Sequence, residues 1–158
     1  MISRPLLVDA AIVLAMLLVA IVGYKLSPLL LPKADVTART AAGCDLHRGP
    51  CGADLPDGRR IQLSIAPLSI PVVQTLNLEV TLAGIDADKV EVDIAGATMN
   101  MGYNRRQLTA AGDGRFVGTA ILPVCVTGPM AWRATVLAET ARERIAAPID
   151  FESTAGGP

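Results

Sequence analysis

Short runs in which apolar and polar residues alternate constrain the fold of this chain more than any other feature. They begin at Ile61 and recur as far as Phe151. Successive side chains of a β-strand point to opposite faces of a sheet, so each run predicts a strand with one buried face. The runs are 61–65, 76–82, 90–94, 116–122, 132–136 and 145–151, with a shorter candidate at 107–109.

Turn-forming residues separate these runs at the spacing of an all-β domain. Glycine, proline, asparagine and aspartate concentrate at 84–88, 102–104, 111–114 and 128–129, where they favour chain reversals. About seven short strands spaced in this way predict a mainly β fold, an immunoglobulin-like β-sandwich, over residues 61–152 with a tail at 153–158. Aromatic residues make up only 3% of the chain, so Trp132, Phe116 and Phe151 are expected to be its few large core residues.

The N-terminal region is apolar over a length that suits a membrane. Residues Ala10 to Tyr24 carry no charge, and a bilayer core needs roughly 20 apolar helical residues. We therefore predict one N-terminal transmembrane helix over 5–27, within an anchor region 1–32. Two alternatives stay open: a cleaved signal peptide with Ala10–Gly23 as its apolar core, and a lipoprotein signal ending at Cys44.

The orientation of this anchor follows from several weak signals. The α-amino group and Arg4 precede the apolar run, and Lys25, Lys33 and Arg39 follow it, so the balance of positive charge is close to even and leans against export of the C-terminal part. The short N-terminal tail, the cysteine pattern and the β character of the C-terminal part favour export of that part. We expect a single-pass protein of a bacterial inner membrane with its C-terminal domain in the periplasm.

A polar segment with its own cysteine loop follows the anchor. Residues 33–60 are rich in glycine, proline and aspartate and are interpreted as a linker. Cys44 and Cys51 frame an eight-residue loop, and in an oxidising compartment a disulfide between them is expected. The alternatives are a metal or a redox site formed by Cys44, His47 and Cys51.

The third cysteine has sulfur-containing neighbours in two predicted loops. Met99 and Met101 lie between the third and fourth predicted strands, whereas Cys125 and Met130 lie between the fifth and sixth. In an up-and-down order of seven strands, these two connections lie at the same end of the sandwich. Thioether and thiolate ligands select Cu(I), so Met99, Met101, Cys125 and Met130 are a candidate copper site. The alternative is that the methionines fill a small core or contact a partner.

Composition excludes several other functions. A net charge of −1 and few aromatic residues argue against nucleic-acid binding, which needs basic grooves and stacking rings. A single histidine excludes sites built from two or more histidines in one chain. Glu79, Glu91 and Asp93 fall at solvent-facing strand positions, and no Gly-x-Ser-x-Gly motif occurs. We therefore expect no enzymatic activity.

The stretch from Met99 to Val136 resembles the YtkA-like and FixH-like family of small membrane-anchored bacterial proteins with an immunoglobulin-like periplasmic domain. The matching features are a Met-x-Met-Gly loop, a Gly-Asp-Gly-Arg-Phe hairpin, Leu-Pro-Val-Cys and Met-x-Trp. The resemblance implies copper handling or assembly of haem-copper oxidases. The β region contains no histidine, which argues against Cu(II) and leaves Cu(I) or no metal.

Two functions follow as hypotheses. The first is a membrane-anchored periplasmic accessory protein that binds or delivers Cu(I) or assists assembly of a membrane oxidase. The second is a structural or interaction subunit of a membrane complex that holds no metal. In both, the helix contacts the membrane and the β domain contacts a protein partner.

Overall fold

The computed structural model describes residue 9 and residues 12–23, 34–97, 104–123 and 130–154. The chain divides into two compact units, Met1–Lys33 and Ala34–Pro158. In the first unit residues 12–23 are helical, and their large apolar side chains are at least half exposed, up to 73% at Val19. No helix within the described residues is long and apolar enough to cross a membrane. The anchor over 5–27, only part of which is described, stays a prediction.

The second unit is made of strands. Their bounds are β1 Val36–Thr37, β2 Arg39–Thr40, β3 Cys51–Asp54, β4 Arg60–Ala66, β5 Thr75–Ala83, β6 Lys89–Gly96, β7 Arg105–Gln107, β8 Thr109–Gly112, β9 Arg115–Ile121, β10 Ala131–Glu139 and β11 Arg144–Glu152. The chain is therefore mainly β, as the alternating runs predict.

The strands form two sheets. One has the order β1-β11-β10-β6-β7 and the other the order β2-β3-β4-β5-β9-β8. The pairings among β4 to β11 are antiparallel, whereas β1 runs parallel to β11. Alternate side chains of both sheets are buried in one shared core, as in a sandwich.

The core follows the predicted period of two. In β4 the side chains of Ile61, Leu63 and Ile65 are at most 1% exposed, whereas the intervening residues are partly exposed. Trp132 and Phe151 are buried as expected, but Phe116 is only partly buried and packs against the edge of the core. Aliphatic residues therefore form most of the core, and Trp132 is its largest member.

Residues 34–60 differ from the linker interpretation. They form β1, β2 and β3, which extend both sheets, and they contribute Ala38, Leu46, Ala53 and Leu55 to the core. The segment is thus part of the β domain that was expected to begin at residue 61. Strands of two to four residues are too short to show an alternation, so their pairing depends on distant strands.

The region of the predicted short strand at 107–109 holds two strands, one in each sheet. Strand β7 pairs with β6 and strand β8 with β9, and the chain crosses between the sheets at Leu108. Leu108 is buried and packs over Gly118, where an added Cβ would lie 2.5 Å from its Cδ2. Glycine at position 118 therefore makes room for the crossing.

Candidate functional site

The sandwich has two unlike ends. We call one the loop end, defined by the disulfide loop 44–51, the connection 67–74, the chain on either side of 98–103 and 124–129, and residues 152–154. We call the other the turn end, defined by the connections 55–59, 84–88, 113–114 and 140–143. The described residues that flank both segments with predicted copper ligands lie at the loop end.

The predicted ligands are described only in part. Met99, Met101 and Cys125 lie outside the described residues. Met130 is 6% exposed and belongs to the core, just before β10. The structure thus gives Met130 the packing position that the sequence analysis considered as the alternative.

The chain segments that flank 98–103 and 124–129 are hydrogen-bonded to each other. The backbone N–H of Ala97 donates to the carbonyl of Ala131 across 2.9 Å. On the other side, the Asn104 side-chain amide donates to the carbonyl of Ile121 across 3.4 Å. The described residues that flank the two segments are therefore neighbours at the loop end.

A buried polar contact supports this end of the core. The indole N–H of Trp132 donates to the hydroxyl of Ser153 across 3.0 Å, and Ser153 is only 3% exposed. The backbone N–H of Ser153 in turn donates to the carbonyl of Met130 across 3.0 Å. A buried indole N–H needs such a partner, and here the contact fixes the point where the chain re-enters the sheet after 124–129.

The disulfide between Cys44 and Cys51 is present, as predicted, with the two Cα atoms 5.5 Å apart. Cys51 and Leu46 are fully buried, so the loop is packed onto the sandwich. Both thiols are used in the bond, which leaves neither as a metal ligand or a free redox thiol in this state.

His47 makes contacts that the sequence analysis missed. Its Nδ1 lies 2.7 Å from the carbonyl oxygen of Leu68, and its Nε2 lies 2.8 Å from that of Glu152. The imidazole therefore links the disulfide loop to two distant parts of the loop end. In the sequence, the position of His47 inside the Cys44–Cys51 loop was the only sign of a role. Its hydrogen-bond partners are backbone atoms remote in sequence, so no local motif indicates them.

The connection 67–74 presents exposed apolar side chains. Leu68 is 48% exposed and Val73 is 62% exposed, and Ile121 of β9 is 48% exposed. Ile70 and Val73 have φ values of 45° and 60°, a left-handed conformation that is costly for β-branched residues. Strain and exposed apolar surface thus coincide at the loop end, and no alternation in the sequence marks them.

Charged side chains are paired along the strands. Glu79 pairs with Arg115, and Asp93 pairs with Arg105, which agrees with their predicted solvent-facing positions. The side-chain hydrogen bonds from Arg133 lower the pKa of Asp150. No cluster of three or more His, Cys, Asp or Glu side chains suited to a metal occurs among the residues that the structure describes.

Comparisons with known proteins add little to this description. No family model matches the chain, and no curated protein matches it. A solved structure of a DUF4785 family protein from Legionella pneumophila subsp. pneumophila str. Philadelphia 1 is similar, with a TM-score of 0.44 and 16% sequence identity. The match covers 62% of this chain and 29% of that chain.

Proposed function

We propose that this protein is a membrane-anchored periplasmic accessory protein that binds Cu(I) at the loop end for delivery to, or assembly of, a membrane oxidase. Met99, Met101 and Cys125 supply two thioethers and a thiolate, a soft donor set that selects Cu(I) over harder ions. Met130 is assigned to packing, since its side chain is buried in the core.

The observation that carries this proposal is the pair of hydrogen bonds between the flanks of 98–103 and 124–129. Ala97 bonds to Ala131 and Asn104 bonds to Ile121. The described residues on either side of these two segments therefore lie next to each other at one end of the sandwich. A ligand set drawn from two adjacent loops on a rigid scaffold is a common way to build a binding site.

The fold is consistent with this role. We propose an immunoglobulin-like topology, because β4-β5-β9-β8 and β7-β6-β10-β11 correspond to the ABED and C′CFG arrangement of that fold. In this arrangement the connections β6–β7 and β9–β10 belong to the same end. The resemblance to the YtkA-like and FixH-like family implies the same architecture.

The proposed compartment is supported by two features. The Cys44–Cys51 disulfide is typical of oxidising compartments. The described part of the N-terminal helix exposes nearly all of its large apolar side chains, and a continuous apolar surface of this kind needs a lipid or protein partner. Both support an anchored and exported protein.

Copper binding is tested by titrating the full-length chain in detergent micelles with Cu(I), in competition with a chromophoric chelator and with ascorbate as reductant. We expect one Cu(I) per chain. Cys125→Ser and the double variant Met99→Leu/Met101→Leu should weaken binding by about tenfold or more, since even changes beside a metal ligand cost that much.

Met130→Leu is the matched control, because it removes a thioether of the same chemistry from a buried position. Its Cu(I) affinity should equal that of the wild type. If Cys125→Ser and Met99→Leu/Met101→Leu both retain full affinity, the proposed site is wrong. A loss of Cu(I) affinity in Met130→Leu alone would show that copper binds in the core, at the thioether of Met130.

The exposed apolar side chains favour a second candidate function, a metal-free interaction subunit. Leu68, Val73 and Ile121 are all exposed at the loop end, where the N–H of Val73 donates to the carbonyl of Leu122, next to Ile121. These side chains would contact the partner directly. In that case Leu68→Ser/Val73→Ser should abolish co-purification of a membrane complex with the full-length chain, and the chain should bind no stoichiometric Cu(I).

A further inference from the structure

The only histidine of the chain lies between two backbone carbonyl groups. Its Nδ1 is 2.7 Å from the oxygen of Leu68 and its Nε2 is 2.8 Å from the oxygen of Glu152. Its own backbone N–H donates to Oδ1 of Asp45 across 3.0 Å, which holds the residue in place within the disulfide loop.

The two carbonyl partners determine which protonation state of the ring can make both hydrogen bonds. A carbonyl oxygen only accepts hydrogen bonds, whereas a neutral imidazole carries one N–H donor and one acceptor nitrogen. A neutral His47 therefore makes one of the two hydrogen bonds and directs a lone pair at the other oxygen. The imidazolium form donates from both nitrogens and makes both bonds.

The ring of His47 joins two parts of the chain that are far apart in sequence. Leu68 belongs to the connection between β4 and β5, and Glu152 ends β11. The same two parts also meet through Thr154, whose hydroxyl donates to the carbonyl of Ser69 across 2.8 Å. His47 adds the disulfide loop to this junction.

The charged groups around the ring are few. Within the disulfide loop, the Asp45 carboxylate pairs with Arg48 across 3.1 Å. The end of β11 brings the exposed carboxylate of Glu152, and the segment 67–71 contains no ionisable residue. The carbonyl oxygens are therefore the polar groups in direct contact with both ring nitrogens.

We propose that His47 is a pH-sensitive clip that fastens the Cys44–Cys51 loop to the loop end of the sandwich. Protonation of the ring completes both hydrogen bonds, and deprotonation releases one of the two contacts. This inference stands on the contacts of His47 and does not depend on copper binding.

The sign of the effect follows from the donor count. The second hydrogen bond is present while the ring carries a proton on both nitrogens, and it is lost when a rise in pH removes one of them. The disulfide loop is thus held most firmly on the acidic side and is released on one side as the pH rises.

Nuclear magnetic resonance of the full-length chain in detergent micelles tests the clip, because one histidine gives one imidazole signal. At the acidic end of a pH titration we expect protons on both ring nitrogens. When the pH is raised until one ring proton is lost, amide shifts should be concentrated in 44–51, 67–71 and 152–154. Ring deprotonation that leaves these amides unchanged would overturn the proposal.

His47→Gln provides the matched variant, since a glutamine amide donates to a carbonyl at every pH. The wild type should exceed this variant in melting temperature by more at pH 5.5 than at pH 8, by about 3 °C. An equal difference at both pH values would mean a purely structural histidine. If the variant does not fold, the wild-type resonance titration decides the question alone.

Discussion

The chain reverses direction at both ends of the sandwich, but the backbone conformations of these reversals differ between the two ends. At the turn end the reversals are short, and positive φ values fall on glycines, as at Gly58, Gly84 and Gly114, or on Asp113, a residue type that tolerates this conformation. At the loop end β-branched residues, Ile70 and Val73, adopt positive φ values, and apolar side chains stay exposed. The turn end obeys local conformational preferences, whereas the loop end departs from them.

The ends also differ in how they are held together. At the turn end Arg59 bridges two connections, with its side chain 2.6 Å from Asp57 and 2.7 Å from Glu143. At the loop end the links are a disulfide, the His47 ring and the buried contact between Trp132 and Ser153. Departures from local rules that are held by tertiary contacts are typical of functional regions. This difference directs the search for a binding site to the loop end.

The chain enters the β domain at the turn end. The backbone N–H of Asp35 donates to the carbonyl of Arg144, and the Asp35 carboxylate accepts from the Arg144 N–H, both across 2.8 Å. The entry point and the described residues that flank 98–103 and 124–129 thus lie at opposite ends of the sandwich.

The largest loss of stability is expected when the buried side chain of Trp132, at the loop end, is removed. Trp132→Ala deletes the largest buried side chain and leaves the Ser153 hydroxyl without its partner, so it should cost about 3–5 kcal/mol of unfolding free energy. Urea denaturation followed by circular dichroism measures this. Trp132→Phe keeps most of the volume and should lose much less, so equal losses for both variants would contradict the packing explanation.

A smaller loss is expected from a change at the turn end. Gly114 has a φ of 70°, and an added Cβ would lie 2.7 Å from the carbonyl oxygen of Leu82. Gly114→Ala should therefore destabilise the fold by about 2 kcal/mol, as measured by thermal unfolding. Gly43→Ala is the matched control, since φ is also positive there but no atom lies within 4 Å, and its loss should be smaller.

The corresponding change at the loop end should have the opposite sign. Val73 has a φ of 60° and a side chain that is 62% exposed. Val73→Gly relieves the backbone strain and removes little packing, so it should stabilise the fold by about 1 kcal/mol. A loss of stability instead would show that the exposed valine packs on a part of the loop end that its exposure does not reveal.

The smallest effect concerns the acid response of the turn end. The backbone N–H of Arg59, followed by its side chain, lowers the pKa of Asp57 below the usual value of 3.8. A lowered pKa means that the contribution to stability is present above pH 3.8 and is lost as the pH falls further. The melting temperatures of wild type and Asp57→Asn should converge in acid, opposite to the His47 response. A constant difference would contradict this sign.

Much of this structure was accessible from local patterns. Alternation predicted the long strands β4 to β6 and β9 to β11, because burial of one sheet face imposes a period of two on each of them. The disulfide was predictable from the spacing of Cys44 and Cys51 together with the expected export of this part of the chain. The apolar run 10–24 and the placement of two sulfur-bearing segments between strands also came from the sequence.

Tertiary structure decided what depends on partners remote in the chain. It placed 34–60 within both sheets, moved the chain between sheets at Leu108, and buried Met130. It also placed the imidazole of His47 within hydrogen-bond distance of the carbonyl oxygens of Leu68 and Glu152, which lie 21 and 105 residues away in the sequence. Such contacts leave no periodic trace, because a two-residue strand or a backbone acceptor imposes no requirement on its neighbours in sequence. The sequence by itself determined the strands and the disulfide, while the packing of the strands determined which loops share an end.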